Sequence, residues 1–395
     1  MIQEIQARKI VIAGKTVDPW FLGKYRISHY RGCQHACAYC DGRAERYYFE
    51  GEFGSDVEIK ANAIELMQKE LPRIKEPGYL FLGSGITDVY QPIEKKLNLT
   101  RQILEILAEN PLPLHILTKS ALVQRDIPIL QQIAGKQNVF LSLSITSNND
   151  QTRRIFEPNT SPIDERWETL ELAKKAGLRT GAFLMPVLPL ISDSPCEIEE
   201  MLQRAKNARV DFVLFSGMTL KPGRQKEYFK KCILENYPEK ASEILKIYQD
   251  NHYYGHGSSV HYSRIHHAFY HLARKYKIPF RMPQEYFTKV LPKYTEAAIL
   301  LAHIGEFLGA NGTERKSYSI AGYAIQKWAD EEKKKISRKK DFSFHQIEDL
   351  FKQQILSGEV KKLAGVGDVI HKMLLEFVQT GKIKYYDQLR KPYQV

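Results

Sequence analysis

Short apolar runs alternate with amphipathic segments through the first half of the chain. The apolar runs are strand-length and bounded by turn residues, at 79–82, 114–117, 139–145, 181–185 and 211–215. The segments between them have helical periodicity, at 93–108, 121–133, 164–176 and 197–208. Such alternation predicts an α/β fold with a parallel sheet and right-handed crossovers. A possible additional first strand lies at 25–27, before a cluster of cysteines.

The pattern changes after about residue 288. From Thr295 onward the periodicity is helical, and glycines mark two turns, at Gly358 and at 365–367. We therefore predict two domains, an α/β domain at 1–288 and an all-helical domain at 289–395. Six basic residues stand among the eight at 333–340. This run is typical of a solvated helix end or loop, and phosphate contact is the alternative interpretation.

Composition narrows the class of protein. The chain has 395 residues, 43% hydrophobic and 26% charged, which excludes wholesale disorder. No apolar stretch reaches membrane-spanning length and the first nine residues lack a signal-peptide core, so we expect a cytoplasmic protein. The net charge is +12, and residues 287–395 carry +6 of it, from 19 Lys and Arg against 13 Asp and Glu. The excess favours a polyanionic partner such as DNA, although solubilising charge is the simpler alternative.

Three of the five cysteines lie within eight residues. They are Cys33, Cys37 and Cys40. In a reducing compartment such clustering indicates metal ligation. Three thiolates can hold an iron–sulfur cluster whose fourth iron stays open to a small molecule. Alternatives are a zinc site completed by His29 or His35, and a cluster completed by the remote Cys196.

The segment 33–40, with the aromatic Tyr39 before its last cysteine, resembles the Cys-x3-Cys-x-aromatic-Cys signature of the radical S-adenosylmethionine (SAM) superfamily. The resemblance implies a partial (β/α)6 barrel and a [4Fe–4S] cluster on the three cysteines. It also implies that SAM chelates the fourth iron and is reductively cleaved to a 5′-deoxyadenosyl radical, which abstracts hydrogen from a substrate. Such an enzyme needs an electron donor such as flavodoxin or ferredoxin.

Further motifs resemble the spore photoproduct lyase group, also called DNA repair photolyases. They are Thr87-Asp88-Val89-Tyr90-Gln91-Pro92-Ile93-Glu94 with Leu99-Thr100-Arg101, Thr118-Lys119-Ser120 with Arg125-Asp126, and Phe156-Glu157-Pro158-Asn159-Thr160-Ser161-Pro162 with Arg166. The resemblance covers about residues 20–225. It implies a radical SAM enzyme that acts on a damaged or modified nucleotide in DNA.

Three polar residues stand at or near predicted strand ends, where parallel barrels bind ligands. Thr87 could accept a hydrogen bond from the methionyl ammonium, Lys119 could pair with the carboxylate, and Ser144 could bond ribose or carboxylate. All three match SAM contacts of the family, and Tyr39 is expected near the adenine. The simpler alternatives are a surface cation for Lys119 and a satisfied backbone bond for Ser144. For Glu157 a structural pair with Arg166 is the leading interpretation.

Two positions depart from the lyase pattern. The hydrogen-donating cysteine of that group is replaced by Gly85, and the tyrosine after the last cluster cysteine is replaced by Asp41. Cys196, in the loop after a predicted strand, is a candidate substitute donor; a buried or loop thiol is the simpler interpretation. Cys232 fits a core position of an amphipathic helix.

The segment 252–271 is rich in histidine and tyrosine. A second metal site is conceivable because His267 and His271 would share a helix face. No carboxylate or thiol partner stands nearby in the sequence. We favour a polar aromatic surface that stacks bases.

The C-terminal segment resembles the helix-hairpin-helix domain of family X DNA polymerases. The match is carried by Lys361-Lys362-Leu363-x-Gly365-Val366-Gly367 and by Glu376-Phe377-x2-Thr380-Gly381-Lys382-Ile383. Gly365 and Gly367 can expose backbone N–H groups to a phosphate, and Lys361, Lys362 and Lys372 are candidate DNA contacts. A plain helix-to-helix turn is the alternative. Met373 stands where some members have a lyase lysine, so lyase activity is not expected to transfer.

These observations favour an enzyme, a radical SAM barrel joined to a DNA-binding helical domain. One alternative keeps the radical chemistry but has RNA or a protein as its substrate. The other is a non-catalytic iron–sulfur protein that binds DNA. Salt-dependent binding and SAM turnover distinguish the three.

Overall fold

The computed structural model describes residues 1–47, 49, 51–83, 85–249, 253–313, 315–336 and 343–394. The chain divides into two compact units, one of Met1–Ile12, Ile27–Arg73 and Leu82–Phe280, the other of Ala13–Arg26, Ile74–Phe81 and Arg281–Val395. The domain division expected at residue 288 stays a prediction, since contacts alone do not show what folds independently. Within the described ranges, no helix has both the length and the apolar character needed to cross a bilayer.

The described residues contain ten strands in two sheets. They are β1 (Ile2–Ile5), β2 (Val11–Ala13), β3 (Gly23–Ile27), β4 (Tyr30–Arg31), β5 (Val57–Lys60), β6 (Tyr79–Leu82), β7 (Leu114–Thr118), β8 (Val139–Ser144), β9 (Arg179–Val187) and β10 (Phe212–Gly217). The larger sheet has the order β10-β9-β8-β7-β6-β3-β2 and the smaller one β1-β5-β4. The pairs β3–β6, β7–β8, β8–β9 and β9–β10 are parallel. The predicted α/β fold is confirmed.

Fifteen α-helices follow or separate these strands in the described residues. They are α1 (Ala63–Glu70), α2 (Glu94–Leu97), α3 (Leu99–Glu109), α4 (Ile127–Ala134), α5 (Asp150–Phe156), α6 (Ile163–Lys175), α7 (Pro195–Asn207), α8 (Arg224–Asn236), α9 (Pro238–Ile247), α10 (Ser259–Tyr276), α11 (Lys293–Ala310), α12 (Lys316–Ile336), α13 (Phe344–Leu356), α14 (Asp368–Thr380) and α15 (Lys384–Arg390). Helices alternate with the strands from β6 to β10, as in a partial (β/α)6 barrel.

The five apolar runs of the sequence are the strands β6 to β10. All residues of β6 and β8 are buried, as expected for strands covered on both faces. One polar pair lies inside this core, where Nε2 of His115 is 2.9 Å from Oγ of Ser142. The strand expected at 25–27 is β3, but it is not the first, because β1 and β2 precede it.

The single helix predicted at 93–108 is interrupted. Asn98 has φ 54°, in the left-handed region, and it separates α2 from α3. Asparagine tolerates this conformation better than most residues. The carboxylate of Glu94 accepts from the backbone N–H of Thr100 at 3.0 Å, which satisfies a donor at the start of α3. The helix breaks here because a side-chain cap replaces the missing backbone bond.

The second unit contains α11 to α15. In the basic run at 333–340, Lys333 is mostly buried and its Nζ lies 2.7 Å from Oε1 of Glu76. A solvated position is therefore wrong for Lys333. Residues 337–340 of the same run lie outside the described residues.

A hairpin formed by residues 357–367 joins α13 to α14. Gly365 in this hairpin has φ +80°, and a Cβ there would lie 2.6 Å from the backbone oxygen of Ser317 and 2.8 Å from the backbone nitrogen of Ala321. Gly367 precedes α14 with φ −91°, and a Cβ on it would have no heavy atom of the described chain within 4 Å. The two glycines therefore have different roles, since only Gly365 is required by packing against α12.

We expect Gly365→Ala to lower the free energy of unfolding by about 2–4 kcal/mol, from left-handed strain and overpacking. Gly367→Ala should change it by less than about 1 kcal/mol, because its backbone is extended and its surroundings are open. Urea denaturation of both variants measures the difference. Equal losses would contradict the packing argument.

Candidate functional site

The three clustered cysteines lie in a loop that follows β4. Their thiols are free, those of Cys33 and Cys37 are buried, and that of Cys40 is half-buried. Cys40 caps a short 3-10 helix by accepting from the N–H of Gly42 at 3.4 Å. The loop is held by Arg43, which donates to the backbone oxygens of Cys37 at 2.9 Å and of two other residues. One buried guanidinium therefore fixes the path of the cysteine loop.

Burial controls the protonation of these thiols. It raises the pKa of Cys33 well above the ordinary thiol value, raises that of Cys37 strongly, and raises that of Cys40 to about 11. Without a bound cation the thiols keep their protons at neutral pH. A metal centre deprotonates a coordinating thiol because its positive charge stabilises the thiolate.

The two histidines considered as zinc ligands have partners within the protein. Nε2 of His29 is 2.9 Å from Oγ1 of Thr100, and burial lowers the pKa of His29 to about 3. Nδ1 of His35 is 3.0 Å from the backbone oxygen of Asn159, and its Nε2 is 3.2 Å from Oδ2 of Asp88. These contacts do not favour either imidazole as a fourth ligand.

Asp88 connects the cysteine loop to the end of β7. Besides approaching His35, its carboxylate accepts from Oγ1 of Thr118 at 2.7 Å and from the backbone N–H of Lys119 at 2.9 Å. Burial alone would raise the pKa of Asp88, but His35 and these hydrogen bonds lower it below the ordinary value. An ionised carboxylate thus anchors the backbone that carries Lys119.

Lys119, Ser144 and Tyr39 meet around Glu157. Nζ of Lys119 is 2.7 Å from Oγ of Ser144, 3.0 Å from Oε1 of Glu157, and 5.7 Å from the ring centre of Tyr39. The Tyr39 hydroxyl donates to Oε1 of Glu157. The structure therefore brings together three of the residues predicted to contact SAM.

Glu157 is fully buried and receives four donors. Besides Tyr39 and Lys119, Oγ1 of Thr146 donates to Oε1 at 2.7 Å and Nη2 of Arg166 donates to Oε2 at 2.7 Å. Burial alone would raise its pKa, but Arg166, Lys119 and the hydrogen bonds outweigh burial and lower the pKa below its ordinary value. The expected Glu157–Arg166 pair is present, but Glu157 also contacts Lys119 and Tyr39.

Thr87 lies at the cysteine loop. Its hydroxyl donates to the backbone oxygen of Gly32 at 2.6 Å, one residue before Cys33. Nearby, the backbone oxygen of Gly85 is 3.8 Å from Sγ of Cys40. A Cβ on Gly85 would have no heavy atom of the described chain within 4 Å. The position of the missing donor cysteine therefore has free space beside it.

Asp41 stands at the second position that departs from the lyase pattern, directly after Cys40. Its Oδ1 is 2.6 Å from Nζ of the buried Lys221 and accepts from Oγ1 of Thr219 at 2.9 Å and from Nε2 of Gln225 at 3.1 Å. These residues lie just after β10 and in α8. Asp41 is thus committed to an ion pair that ties the cysteine loop to this end of the sheet.

Cys196 lies in the first turn of α7 rather than in a loop. It is exposed, which corrects the expectation of a buried or loop thiol, and its Sγ is 3.7 Å from Oε1 of Glu200. Its role as hydrogen donor stays a prediction. Cys232 is half-buried in α8 and packs against a cluster of buried apolar residues, in line with its expected position.

The histidine-rich segment supplies α10. His267 and His271 are exposed, and Nε2 of His261 pairs with Oδ2 of Asp193 at 3.0 Å. His252, the first residue of the predicted surface, lies outside the described residues. Throughout the described ranges, no group of three or more His, Cys, Asp and Glu side chains is arranged around a single metal ion. The conceivable second site at His267 and His271 is therefore not supported.

The candidate DNA contacts lie in the second unit. Nζ of Lys361 is 3.2 Å from Oδ1 of Asp368, and Lys362 pairs with Glu359. Lys372 is exposed. Gly367 accepts from the backbone N–H of His371 at 2.9 Å as α14 begins. The structure contains a hairpin between two helices, while its DNA contacts stay predictions.

Comparison with known proteins identifies the family of this chain. Residues 27–205 match the family model of the radical SAM superfamily. An uncharacterised protein of Methanocaldococcus jannaschii is 32% identical over 236 residues, which are 59% of this chain and 84% of that protein. The chain belongs to the radical SAM superfamily.

Two comparisons concern spore photoproduct lyase. The enzyme of Clostridium acetobutylicum is 23% identical over 46% of this chain and 52% of its own length. A solved spore photoproduct lyase complexed with dinucleoside spore photoproduct has a TM-score of 0.51 and 15% identity, over 70% of this chain and 79% of its own. At this identity the likeness shows a shared fold.

Radical SAM proteins use a [4Fe–4S] cluster and SAM, which are therefore the cofactors of this chain. The donor set of the cysteine loop fits the cluster, since it offers three free thiols, the ligands that iron–sulfur clusters require. The lack of a single-ion site does not conflict with this fit. Each thiolate of a [4Fe–4S] cluster binds a different iron, so the sulfurs need not converge on one point.

Sequence reasoning missed two residues of this radical SAM site. The sequence assigns no role to Asp88, which stands inside a recognised motif, and for Glu157 it predicts only a structural pair with Arg166. A signal was present for both, because each acidic residue stands next to an apolar residue that is buried, Asp88 before Val89 and Glu157 after Phe156. A buried carboxylate needs nearby donors. Which donors they are became visible only in the folded chain.

Proposed function

We propose that this radical SAM protein cleaves SAM reductively and acts on a damaged or modified nucleotide in DNA. The observation that carries the proposal is the position of Lys119, which is 2.7 Å from Oγ of Ser144 and 5.7 Å from the ring centre of Tyr39 in the cysteine loop. A cation and a hydroxyl at parallel strand ends, with the aromatic ring of the cysteine loop near the cation, suit an amino-acid nucleoside such as SAM.

In this proposal Cys33, Cys37 and Cys40 hold the cluster. When bound, the cluster and SAM together supply a 5′-deoxyadenosyl radical that abstracts a hydrogen atom from the substrate. The buried loop excludes water from the thiolates, and Arg43 keeps the loop in place through its backbone contacts. An electron donor such as a flavodoxin or a ferredoxin is the partner that the reduction needs.

The protein's own side chains would orient SAM. Lys119 would pair with its carboxylate, and Ser144 would hydrogen-bond the carboxylate or a ribose hydroxyl. Thr87 would accept from the methionyl ammonium while it holds the loop backbone at Gly32. Tyr39 would lie near the adenine. Each role uses a group that can rotate or exchange its present partner when SAM enters.

Several features support DNA as the substrate. Spore photoproduct lyase, the solved relative, is complexed with a dinucleoside photoproduct. The net charge of this chain is +12. In the second unit, the open side of Gly367 at the start of α14 leaves room for the close approach of a phosphate. We assign the hairpin at 357–367, with Lys361, Lys362, Gly365, Gly367 and Lys372, to sequence-independent backbone binding.

The outcome of the reaction need not equal that of spore photoproduct lyase. Gly85 carries no hydrogen donor, and Asp41 is engaged with Lys221. The substrate radical therefore requires another donor, for which Cys196 is the candidate, or it ends in a different product. This is why the proposal names the class of substrate and not the lesion.

The test follows deuterium from DNA into 5′-deoxyadenosine. Anaerobically reconstituted protein is reduced with SAM and a panel of deuterated duplexes, each carrying one lesion, with the undamaged duplex of the same sequence as control. We expect SAM cleavage, and deuterium in the 5′-deoxyadenosine with one lesion class only. Cleavage without deuterium transfer from any duplex would contradict a DNA substrate.

The same assay distinguishes the alternatives. If the protein modifies RNA or a protein, 5′-deoxyadenosine forms but DNA contributes no deuterium, and binding to an RNA duplex or a protein competes with DNA. If the protein only binds DNA, SAM is not cleaved while DNA affinity falls steeply with salt. Lys119→Ala would leave that DNA affinity unchanged.

A further inference from the structure

Glu157 lies where one carboxylate contacts two residues of the proposed SAM site, the flexible Lys119 and the buried Tyr39. Its Oε1 is 3.0 Å from Nζ of Lys119 and accepts from the Tyr39 hydroxyl. Lys119 extends from the end of β7, whereas Tyr39 belongs to the cysteine loop and precedes Cys40. The buried side chain of Glu157 therefore links Lys119 to the residue that precedes Cys40, a proposed cluster ligand.

Glu157 is itself held firmly. Its exposed fraction is 1%, and Arg166, which is fully buried, fixes the other carboxylate oxygen. Arg166 also donates to the backbone oxygens of Ser144 and Ser161, each at 2.9 Å. A carboxylate anchored in this way can hold a flexible lysine in one rotamer before any ligand arrives.

The charges leave room for one anion. Lys119 and Arg166 are cations and Glu157 is the anion between them, so the group carries one uncompensated positive charge. Arg166 is buried behind Glu157, whereas 15% of the Lys119 side chain is exposed. The excess positive charge is thus available at the ammonium group of Lys119, where one carboxylate would neutralise it.

We propose that Glu157 is a positioning residue that holds Lys119 ready for the carboxylate of SAM, and that it acts only through Lys119. This inference rests on the proposed role of Lys119. Glu157 has no free oxygen for SAM, because four donors occupy it. Its loss should therefore weaken only those ligands that carry the carboxylate.

The test compares SAM with decarboxylated SAM, which keeps the sulfonium and the adenosine but lacks the carboxylate. Equilibrium dialysis measures both affinities on the cluster-loaded full chain under anaerobic conditions. Glu157→Asp keeps the negative charge, but its side chain is one methylene shorter, so the carboxylate lies farther from the ammonium group of Lys119. We expect the Kd of SAM to rise about ten- to hundredfold, while that of decarboxylated SAM stays unchanged.

Glu94→Asp is the matched control. Glu94 is also a fully buried carboxylate, paired with Arg125 at 2.6 Å and accepting from the hydroxyl of Tyr30, but Lys119 is not its partner. Shortening it should leave both affinities unchanged. If Glu157→Asp does not fold, the near-isosteric Glu157→Gln replaces it, with the same selective loss of SAM affinity expected.

A double-mutant cycle with Lys119→Gln separates the possible failures. In the Lys119→Gln background, Glu157→Asp should have no further effect on SAM affinity. If Lys119→Gln itself leaves SAM affinity unchanged, the proposed role of Lys119 is wrong. If Lys119→Gln weakens SAM but Glu157→Asp does not, or if both ligands weaken equally in Glu157→Asp, the positioning role is wrong.

Discussion

Replacing Cys37 with serine is expected to abolish both iron binding and SAM cleavage. Cys37 is buried, and its backbone oxygen accepts from Arg43, so the loop should keep its path while one thiolate is lost. A hydroxyl is a poor ligand for the iron of such a cluster, and the remaining two cysteines cannot hold it. Iron analysis after anaerobic reconstitution should fall from about four irons per chain to background.

Cys232→Ser is the control for this experiment. It makes the same chemical change at a half-buried thiol of α8, which packs against apolar residues. Iron content and 5′-deoxyadenosine formation should stay at the level of the parent protein. Full iron loading of the Cys37→Ser protein would contradict the assignment of Cys37 as a ligand.

The second large effect is expected on stability. Arg166→Met should lower the free energy of unfolding by about 3–5 kcal/mol, because it leaves the carboxylate of Glu157 buried without its closest cation. It also removes donors from the backbone oxygens of Ser144 and Ser161. Urea denaturation, followed by circular dichroism on anaerobic protein, measures the loss.

Arg204→Met is the comparison for Arg166→Met. Arg204 pairs with Asp164 at 2.7 Å, but the Asp164 side chain is 88% exposed. Water solvates such a carboxylate when its partner is lost, so the cost should stay below about 1 kcal/mol. Similar losses in the two variants would show that the charge network around Glu157 is not what stabilises the unit.

The strands of the larger sheet were predictable where burial made them nearly all apolar. The run at 139–145 corresponds to β8 (Val139–Ser144), and the run at 181–185 lies within the longer β9 (Arg179–Val187). Strands with mixed composition were missed. For example, β1 has three exposed residues of four, and its pairing with β5 joins Ile2 to Val57. Local periodicity contains no signal for such a distant partner.

The part of the site that lies at strand ends was predictable from the sequence. Lys119 and Ser144 each follow or end a strand of one parallel sheet, and they lie 2.7 Å apart. The contact of Glu157 with Tyr39 was not predictable, because these residues are 118 positions apart and lie in separate loops. Burial creates this contact, since a carboxylate removed from water must find donors wherever the fold supplies them.

The hairpin at 357–367 shows the limit of motif reasoning. The two glycines of the Gly365-Val366-Gly367 segment look equivalent in the sequence, which predicts either phosphate contact or a plain turn for both. In the folded chain a side chain on Gly365 would collide with the backbone of α12, whereas Gly367 is open. Packing thus explains Gly365, whereas phosphate contact at Gly367 stays a prediction.

The open space beside Gly85 means that this position can accept a side chain. A Cβ at this position would have no heavy atom of the described chain within 4 Å, and Sγ of Cys40 is 3.8 Å from the Gly85 backbone oxygen. Replacing Gly85 with cysteine would therefore place a thiol near the cysteine loop that we propose holds the cluster. Under the proposed function, such a variant would have a second means of quenching the substrate radical.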